Sequence, residues 1–265
     1  MALNLRTVRS GTGPYYFFIH GLFGSSNDWS GVISSLPHTR GVLAMDLPGH
    51  GGSDAVDPHI STFDQCIDLL LSELRSVIQE PVIGIGYSLG GRILLGLWNQ
   101  APELFSALCL VSTFPGFEDE EERRQRVCSD QKWIEKLEGL SGDEFFSEWY
   151  HQPLFARSEW SAVVENRILK SRVGLRTADL SGFFAATSAA SMPSFWADLS
   201  GAVLPVHYIV GCRDAKYVQI AGQLAAGNPA ISVSVIEGAG HLVPLEKPVE
   251  LALSLDEFAG RSAYR

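Results

Sequence analysis

Long apolar runs are missing from these 265 residues. No stretch approaches the roughly 20 consecutive apolar residues that cross a bilayer, and Met1 to Gly13 has no apolar export core. The chain is therefore expected to be soluble and cytoplasmic. Positive charge is also scarce: 20 Lys and Arg stand against 30 Asp and Glu, for a net charge of -10 and a pI near 5.1. Nucleic acids and membrane surfaces are polyanions that would repel such a chain, so neither is expected as a partner. An anionic substrate could bind only in a locally basic cleft. Cysteine is sparse too, with Cys66, Cys109, Cys128 and Cys212 scattered through core-like segments. They show neither scaffold nor metal-ligand spacing, so reduced thiols and no metal site are expected. There are no internal repeats and no low-complexity segments.

What is present is a large apolar fraction, 46%, enough for one substantial core plus an insertion. Within it, Gly86-Tyr87-Ser88-Leu89-Gly90 sits between an apolar strand-like run, Pro81 to Ile85, and a helix-like run from Leu89 to Asn99. That is the G-x-S-x-G nucleophile elbow in the strand-to-helix setting it requires. The serine must occupy a strained backbone at a sharp turn, and Gly86 and Gly90 keep Cβ atoms out of its crowded flanks. Gly91 lets the helix pack close. Ser88 is the reactive residue on this reading, rather than part of a glycine-rich nucleotide turn.

Leu3 to Arg9 reads as an edge strand, and Tyr15 to Ile19 as a strand covered on both faces. His20-Gly-Leu-Phe-Gly24 follows, where the second oxyanion N–H is expected, from Leu22, beside that of Leu89. Asn27 to Leu36 can form a short helix and Gly41 to Met45 another strand. Asp46 and His50 lie in the loop to Ser53, but Gly- and Pro-rich loops use Asp for local backbone hydrogen bonds, so both are read as structural. A helix capped by Ser61 or Thr62 runs to Ile78 with apolar residues at helical spacing. Ala107 to Val111 gives a fifth strand. Thr113 to Trp196 shows no strand signal and reads as a helical cap. Val206 to Val210, a helix from Lys216 to Ala226, Ser232 to Ile236 and a helix from Pro248 to Phe258 complete a mostly parallel, doubly wound α/β sheet. The expected organisation is a core of 1–112 and 197–265 with the cap at 113–196.

Asp214 follows the next-to-last strand and His241 the last, giving the Ser…Asp…His order of the α/β-hydrolase fold. His241 would take the Ser88 proton while Asp214 fixes its tautomer. Arg92 lies one helical turn beyond Ser88, and a guanidinium buried there requires an anion, from either a protein carboxylate or a substrate. The cap adds Arg123, Arg124 and Arg126, then Arg167, Arg172 and Arg176, most of them on solvated faces.

These residues resemble one family, the α/β-hydrolase-fold lyases of menaquinone biosynthesis, 2-succinyl-6-hydroxy-2,4-cyclohexadiene-1-carboxylate synthases. The resemblance covers nearly the whole chain. It is carried by residues 86 to 92, Asp46 to Gly51, Arg126 ahead of Ser129-Asp-Gln-Lys-Trp133, Trp149-Tyr-His-Gln-Pro153, Arg167 before Gly174-Leu, and Arg213-Asp-Ala-Lys-Tyr217. It implies a substrate with three carboxylates and expulsion of pyruvate by proton abstraction, with no cofactor. It further implies that Arg92, Arg126 and Arg167 bind carboxylates and that Tyr87, Trp149, Tyr150 and Lys216 line the pocket. Leu22 departs from the family, whose members often carry an aromatic there; the backbone N–H role does not depend on it. The rivals are a serine esterase or carbon–carbon hydrolase using the same triad as nucleophile, and a non-catalytic binder on the same fold.

Overall fold

Tyr16-Phe-Phe-Ile19 has no polar face because both of its faces are covered. In the computed structural model, Phe17 and Ile19 pack into one apolar cluster while Tyr16 and Phe18 pack into another on the opposite side of the sheet. Side chains alternate along a strand, so a wholly apolar run marks a strand sandwiched between two helical layers. The structure describes residues 2–155, 160–172, 175 and 177–262, with the backbone alone at 162, 163, 167, 177, 178 and 262.

The first half comprises β1 (Leu5–Arg9), β2 (Tyr16–Ile19), α1 (Ser30–Ser35), β3 (Val42–Met45), α2 (Phe63–Val77), β4 (Val82–Tyr87), α3 (Leu89–Gln100) and β5 (Phe105–Val111). Helices α4 (Glu120–Gly139), α5 (Gly142–Tyr150), α6 (Ala162–Arg172), α7 (Ser181–Ala186) and α8 (Trp196–Ser200) follow, with no strand among the described residues. The sheet then resumes with β6 (Val206–Gly211), α9 (Ala215–Gly227), β7 (Ile231–Ile236), α10 (Val243–Glu246) and α11 (Pro248–Ser262). The seven strands lie in the order β1-β3-β2-β4-β5-β6-β7. All pairs are parallel except β1 with β3.

Order reverses between β2 and β4, because the chain leaves β2 toward β3 on one side and returns to β4 on the other. Loops leaving the carboxyl ends of strands diverge at such a point and open a crevice. Here they are the glycine loop after β2 and the Ser88 turn after β4. The elements beside them are well seated. Helix α2 starts with a capping box in which the Gln65 N–H donates to Thr62 Oγ1 and Gln65 Oε1 accepts from the Thr62 N–H, each at 3.2 Å. Its buried stripe runs Phe63, Cys66, Ile67, Leu70, Leu71 and Leu74. The expected helix at Asn27 to Leu36 is a 3₁₀ turn, Ser26–Trp29, running into α1. All four thiols are unpaired, and burial pushes Cys66 up to about 12. No helix among the described residues is long and apolar enough to cross a membrane.

Three buried histidines tie stability to pH. His20 and His50 lie in the loops after β2 and β3, and His207 on β6 sits between the Ser232 and Ser254 hydroxyls at 2.7 and 2.9 Å. Burial lowers all three, to about 3 for His50 and about 4 for His207. Unfolding restores a value near 6.5, so their contribution is fully present above that pH and is lost as pH falls toward the folded values. Between pH 7.5 and 5.5 His50 and His207 together should remove about 3 kcal/mol, at roughly 1.4 kcal/mol each, and His20 adds to the loss in the same direction. Urea unfolding at the two pH values checks this; equal midpoints would mean the histidines protonate in place.

Candidate active site

Strand β4 ends at Tyr87, and Ser88 follows with φ 51° and ψ -109°, a conformation that L-residues adopt only under strain. The Ser88 N–H donates to the Val111 carbonyl at 2.9 Å, fixing the turn to the end of β5. The glycines permit it by close approach. A Cβ on Gly86 would come within 2.5 Å of the Gly90 carbonyl, one on Gly90 would strike the Ile19 carbonyl, and one on Gly91 the Thr113 hydroxyl.

His241 Nε2 lies 3.2 Å from Ser88 Oγ, and His241 Nδ1 lies 2.6 Å from Asp214 Oδ2. A carboxylate only accepts, so Nδ1 carries the proton and Nε2 is left to accept from the serine hydroxyl. The imidazole is buried and walled by the rings of Tyr217 at 4.8 Å, Tyr87 at 5.6 Å and Phe155 at 6.0 Å. Asp214 and His241 follow the ends of β6 and β7, which β5 separates from β4, so the carboxyl ends of three parallel strands deliver three groups to one point. The N–H groups of Leu22 and Leu89 have no hydrogen-bond partner among the described residues. Unspent amides at a loop and at a helix N-terminus, flanking a serine, suit a developing oxyanion.

The loop carrying Leu22 is held from below by the two histidines. The Leu47 N–H donates to His20 Nε2 at 3.0 Å and the Phe23 N–H to His50 Nε2 at 3.1 Å, while each Nδ1–H donates to a carbonyl, of Gly21 and Pro48. Asp46 accepts from the Gly52 N–H at 2.8 Å, the Ser26 N–H at 2.5 Å and the Asn4 amide at 2.7 Å. Against the burial that would raise it, those bonds hold the Asp46 carboxyl below its usual range. Asp46 and His50 therefore spend their polar groups on backbone and, for Asp46, on the Asn4 side chain as well, the structural role expected from the sequence.

Above Ser88 the cleft is lined by Tyr87, Arg92, Arg126, Trp149, Tyr150 and Lys216 of the expected residues, and by Leu22. Trp149 is edge-on to both Phe23 and Trp133 at 5.0 Å, which joins the loop after β2 to α4 and α5. Burial pushes the Tyr87 and Tyr150 hydroxyls up, and Tyr217 up to about 12, so all three stay protonated donors. Lys216 Nζ sits 4.7 Å over the Phe114 ring, and burial, then Arg126, lowers it.

Arg92 has no carboxylate partner among the described residues. Its Nη1 donates to the Thr187 carbonyl at 2.5 Å, and burial followed by Arg126 lowers it to about 10. It stays a cation at neutral pH, facing the cleft. Of the two partners open on sequence grounds, no carboxylate among the described residues pairs with it. Arg126 differs, since its Nε donates to Asp130 at 2.6 Å. Arg167 is on α6, but its side chain lies outside the described residues, as do Gly174 and Arg176. The cation that α6 does bring to the cleft is Arg172, which donates to Asp28 at 2.9 and 3.1 Å and to the Tyr150 hydroxyl at 3.1 Å. Sequence reading left Arg172 among the solvated charges. Its partner is 144 residues away, beyond any local pattern, and an arginine in an otherwise mixed helix carries no other signal. Four cations against two carboxylates line the cleft among the described residues, so it is locally positive in a protein of net charge -10.

Residues 16–253 match the model of the alpha/beta hydrolase family. The chain is 34% identical over 256 residues to the 2-succinyl-6-hydroxy-2,4-cyclohexadiene-1-carboxylate synthase of Enterobacter sp. (strain 638), covering 96% of this chain and 95% of that one. It is 33% identical to the protein of the same name from Klebsiella pneumoniae, over 91% and 92% of the two chains. Among solved structures, MenH from S. aureus is similar with a TM-score of 0.90 and 25% identity, over 98% of both chains. A thermophilic esterase from Thermogutta terrifontis is similar at TM-score 0.77 and 21% identity, over 98% of this chain and 93% of that one, which speaks for the fold alone.

Proposed function

Because this chain belongs to the alpha/beta hydrolase family and, within it, to the 2-succinyl-6-hydroxy-2,4-cyclohexadiene-1-carboxylate synthases, we propose that it is a cytosolic lyase releasing pyruvate from 2-succinyl-5-enolpyruvyl-6-hydroxy-3-cyclohexene-1-carboxylate. The observation that carries this reading is the positive cleft over an intact Ser88–His241–Asp214 array. A neutral ester needs no such cations; a tricarboxylate does, and planar guanidinium pairs with carboxylate through two parallel bonds.

In the reaction, Ser88 Oγ, its proton drawn to His241 Nε2, removes the hydrogen from the ring carbon that bears the succinyl ketone. The C–H electrons form a double bond to the next ring carbon, the existing ring double bond moves along by one position, and the allylic C–O bond breaks. Enolpyruvate departs and takes up a proton to become pyruvate. Charge developing on the ketone oxygen is met by the Leu22 and Leu89 N–H groups. Asp214 keeps the imidazole in the accepting tautomer and stabilises its protonated form. Arg92, Arg126 and Arg167 of α6 take the carboxylates, with Tyr87, Trp149, Tyr150 and Lys216 shaping the pocket and residues 113–196 forming the cap over it. Parallel assays of pyruvate release from this substrate and of hydrolysis across a panel of neutral esters test the reading. Faster ester hydrolysis with no pyruvate release would return the esterase to first place.

A further inference from the structure

Arg92 belongs to the elbow helix and Arg126 to the cap, yet consecutive residues of one turn reach both. The Thr187 carbonyl accepts from Arg92 Nη1, and the Ser188 hydroxyl donates to Asp130 Oδ2, whose Oδ1 accepts from Arg126 Nε at 2.6 Å. The direction of the middle bond is fixed. Ser188 Oγ accepts from the Ala190 N–H at 2.9 Å, so its own proton is free for the carboxylate. Thr187 is anchored in turn, its N–H and hydroxyl both donating to the Phe183 carbonyl, at 2.9 and 2.6 Å. Thr187, Ser188, Asp130 and Arg92 are all buried. Asp130 takes only the Nε–H of Arg126, and both Nη groups, which carry four of the five donors, have no hydrogen-bond partner among the described residues.

We propose that Asp130 and Ser188 are positioning residues that clamp Arg126 by its Nε and aim its two Nη groups at a substrate carboxylate, and that the Thr187–Ser188 turn sets its spacing from Arg92. An acid beside an anion site would otherwise oppose binding by repelling the substrate. The clamp explains its presence, because an unanchored arginine loses side-chain entropy on every binding event and a braced one does not. Two guanidiniums held at fixed spacing by one turn select a ligand whose carboxylates lie at matching separation.

This rests on the elimination reading, and the test separates the two. Pyruvate release is measured for wild type, Ser188→Ala, Ser188→Thr, Arg126→Ala and the Ser188→Ala/Arg126→Ala pair. Ser188→Ala is expected to raise KM about 10-fold with kcat within about twofold, as for a misaligned charge-assisted bond. Ser188→Thr, which keeps the hydroxyl, should recover most of that. In the Arg126→Ala background Ser188→Ala should change KM by less than about twofold, because residues acting through one group are not additive. A wild-type KM for Ser188→Ala, or an equal rise with and without Arg126, would overturn the clamp while leaving the elimination intact. Should Ser188→Ala not accumulate as folded protein, Asp130→Asn is read in the same cycle by the same criteria. A wild-type protein that releases no pyruvate contradicts the elimination reading itself.

Discussion

Ser88→Ala is expected to lower pyruvate release by about 10³-fold or more, and His241→Ala by a similar factor, with the double variant little worse than either. The expectation follows from geometry. With the Nδ1 proton committed to Asp214 at 2.6 Å, Nε2 has one role, accepting from Ser88 at 3.2 Å, and neither partner performs it alone. What remains in each variant is the cation set and the two unspent amides, which still bind and polarise the substrate but remove no proton. Steady-state pyruvate release measures the factors. Losses that multiply in the double variant would show two groups working independently and would count against a shared unit.

Arg92→Ala carries the second large effect. Its guanidinium is buried, protonated and without a carboxylate among the described residues, so the substrate is the available anion. Removing a charge-assisted bond of roughly 1.5–3 kcal/mol should lower kcat/KM for the tricarboxylate by about 10- to 150-fold. Any hydrolysis of a neutral ester by the same triad should fall far less. Arg126→Ala and Arg167→Ala should divide the substrates in the same direction. Equal losses on both substrate types would make these arginines props of the fold, and a fall in melting temperature would accompany them.

The frame of the molecule could be read from local pattern because its causes are local. Four apolar residues at Tyr16–Ile19 with no polar alternation allow only a doubly covered strand, and three glycines around Ser88 are needed for approach distances that a Cβ would violate. His241 was legible for the same reason, as the only histidine following a terminal strand in a glycine-rich loop. The β1–β3 pairing is antiparallel, and an edge strand's direction leaves little trace in five weakly alternating residues. The cap was harder. Its arginines look alike in sequence, and what separates a solvated one from Arg172 is a carboxylate, Asp28, placed by the far end of the chain. Asp130 and Ser188 were likewise hidden, since nothing at position 188 announces a bond to a helix that begins at Glu120.

Whether Ser88 acts as base or nucleophile is decided most directly by a rapid-quench time course with substrate in excess over enzyme. Pyruvate leaves an allylic carbon after proton loss, so no carbonyl needs to be acylated. With Ser88 as base, pyruvate release is linear from the first turnover and the Ser88 peptide is unmodified at every time point. A burst of one pyruvate per active site, followed by a slower steady state and a mass increase on the Ser88 peptide, would contradict it.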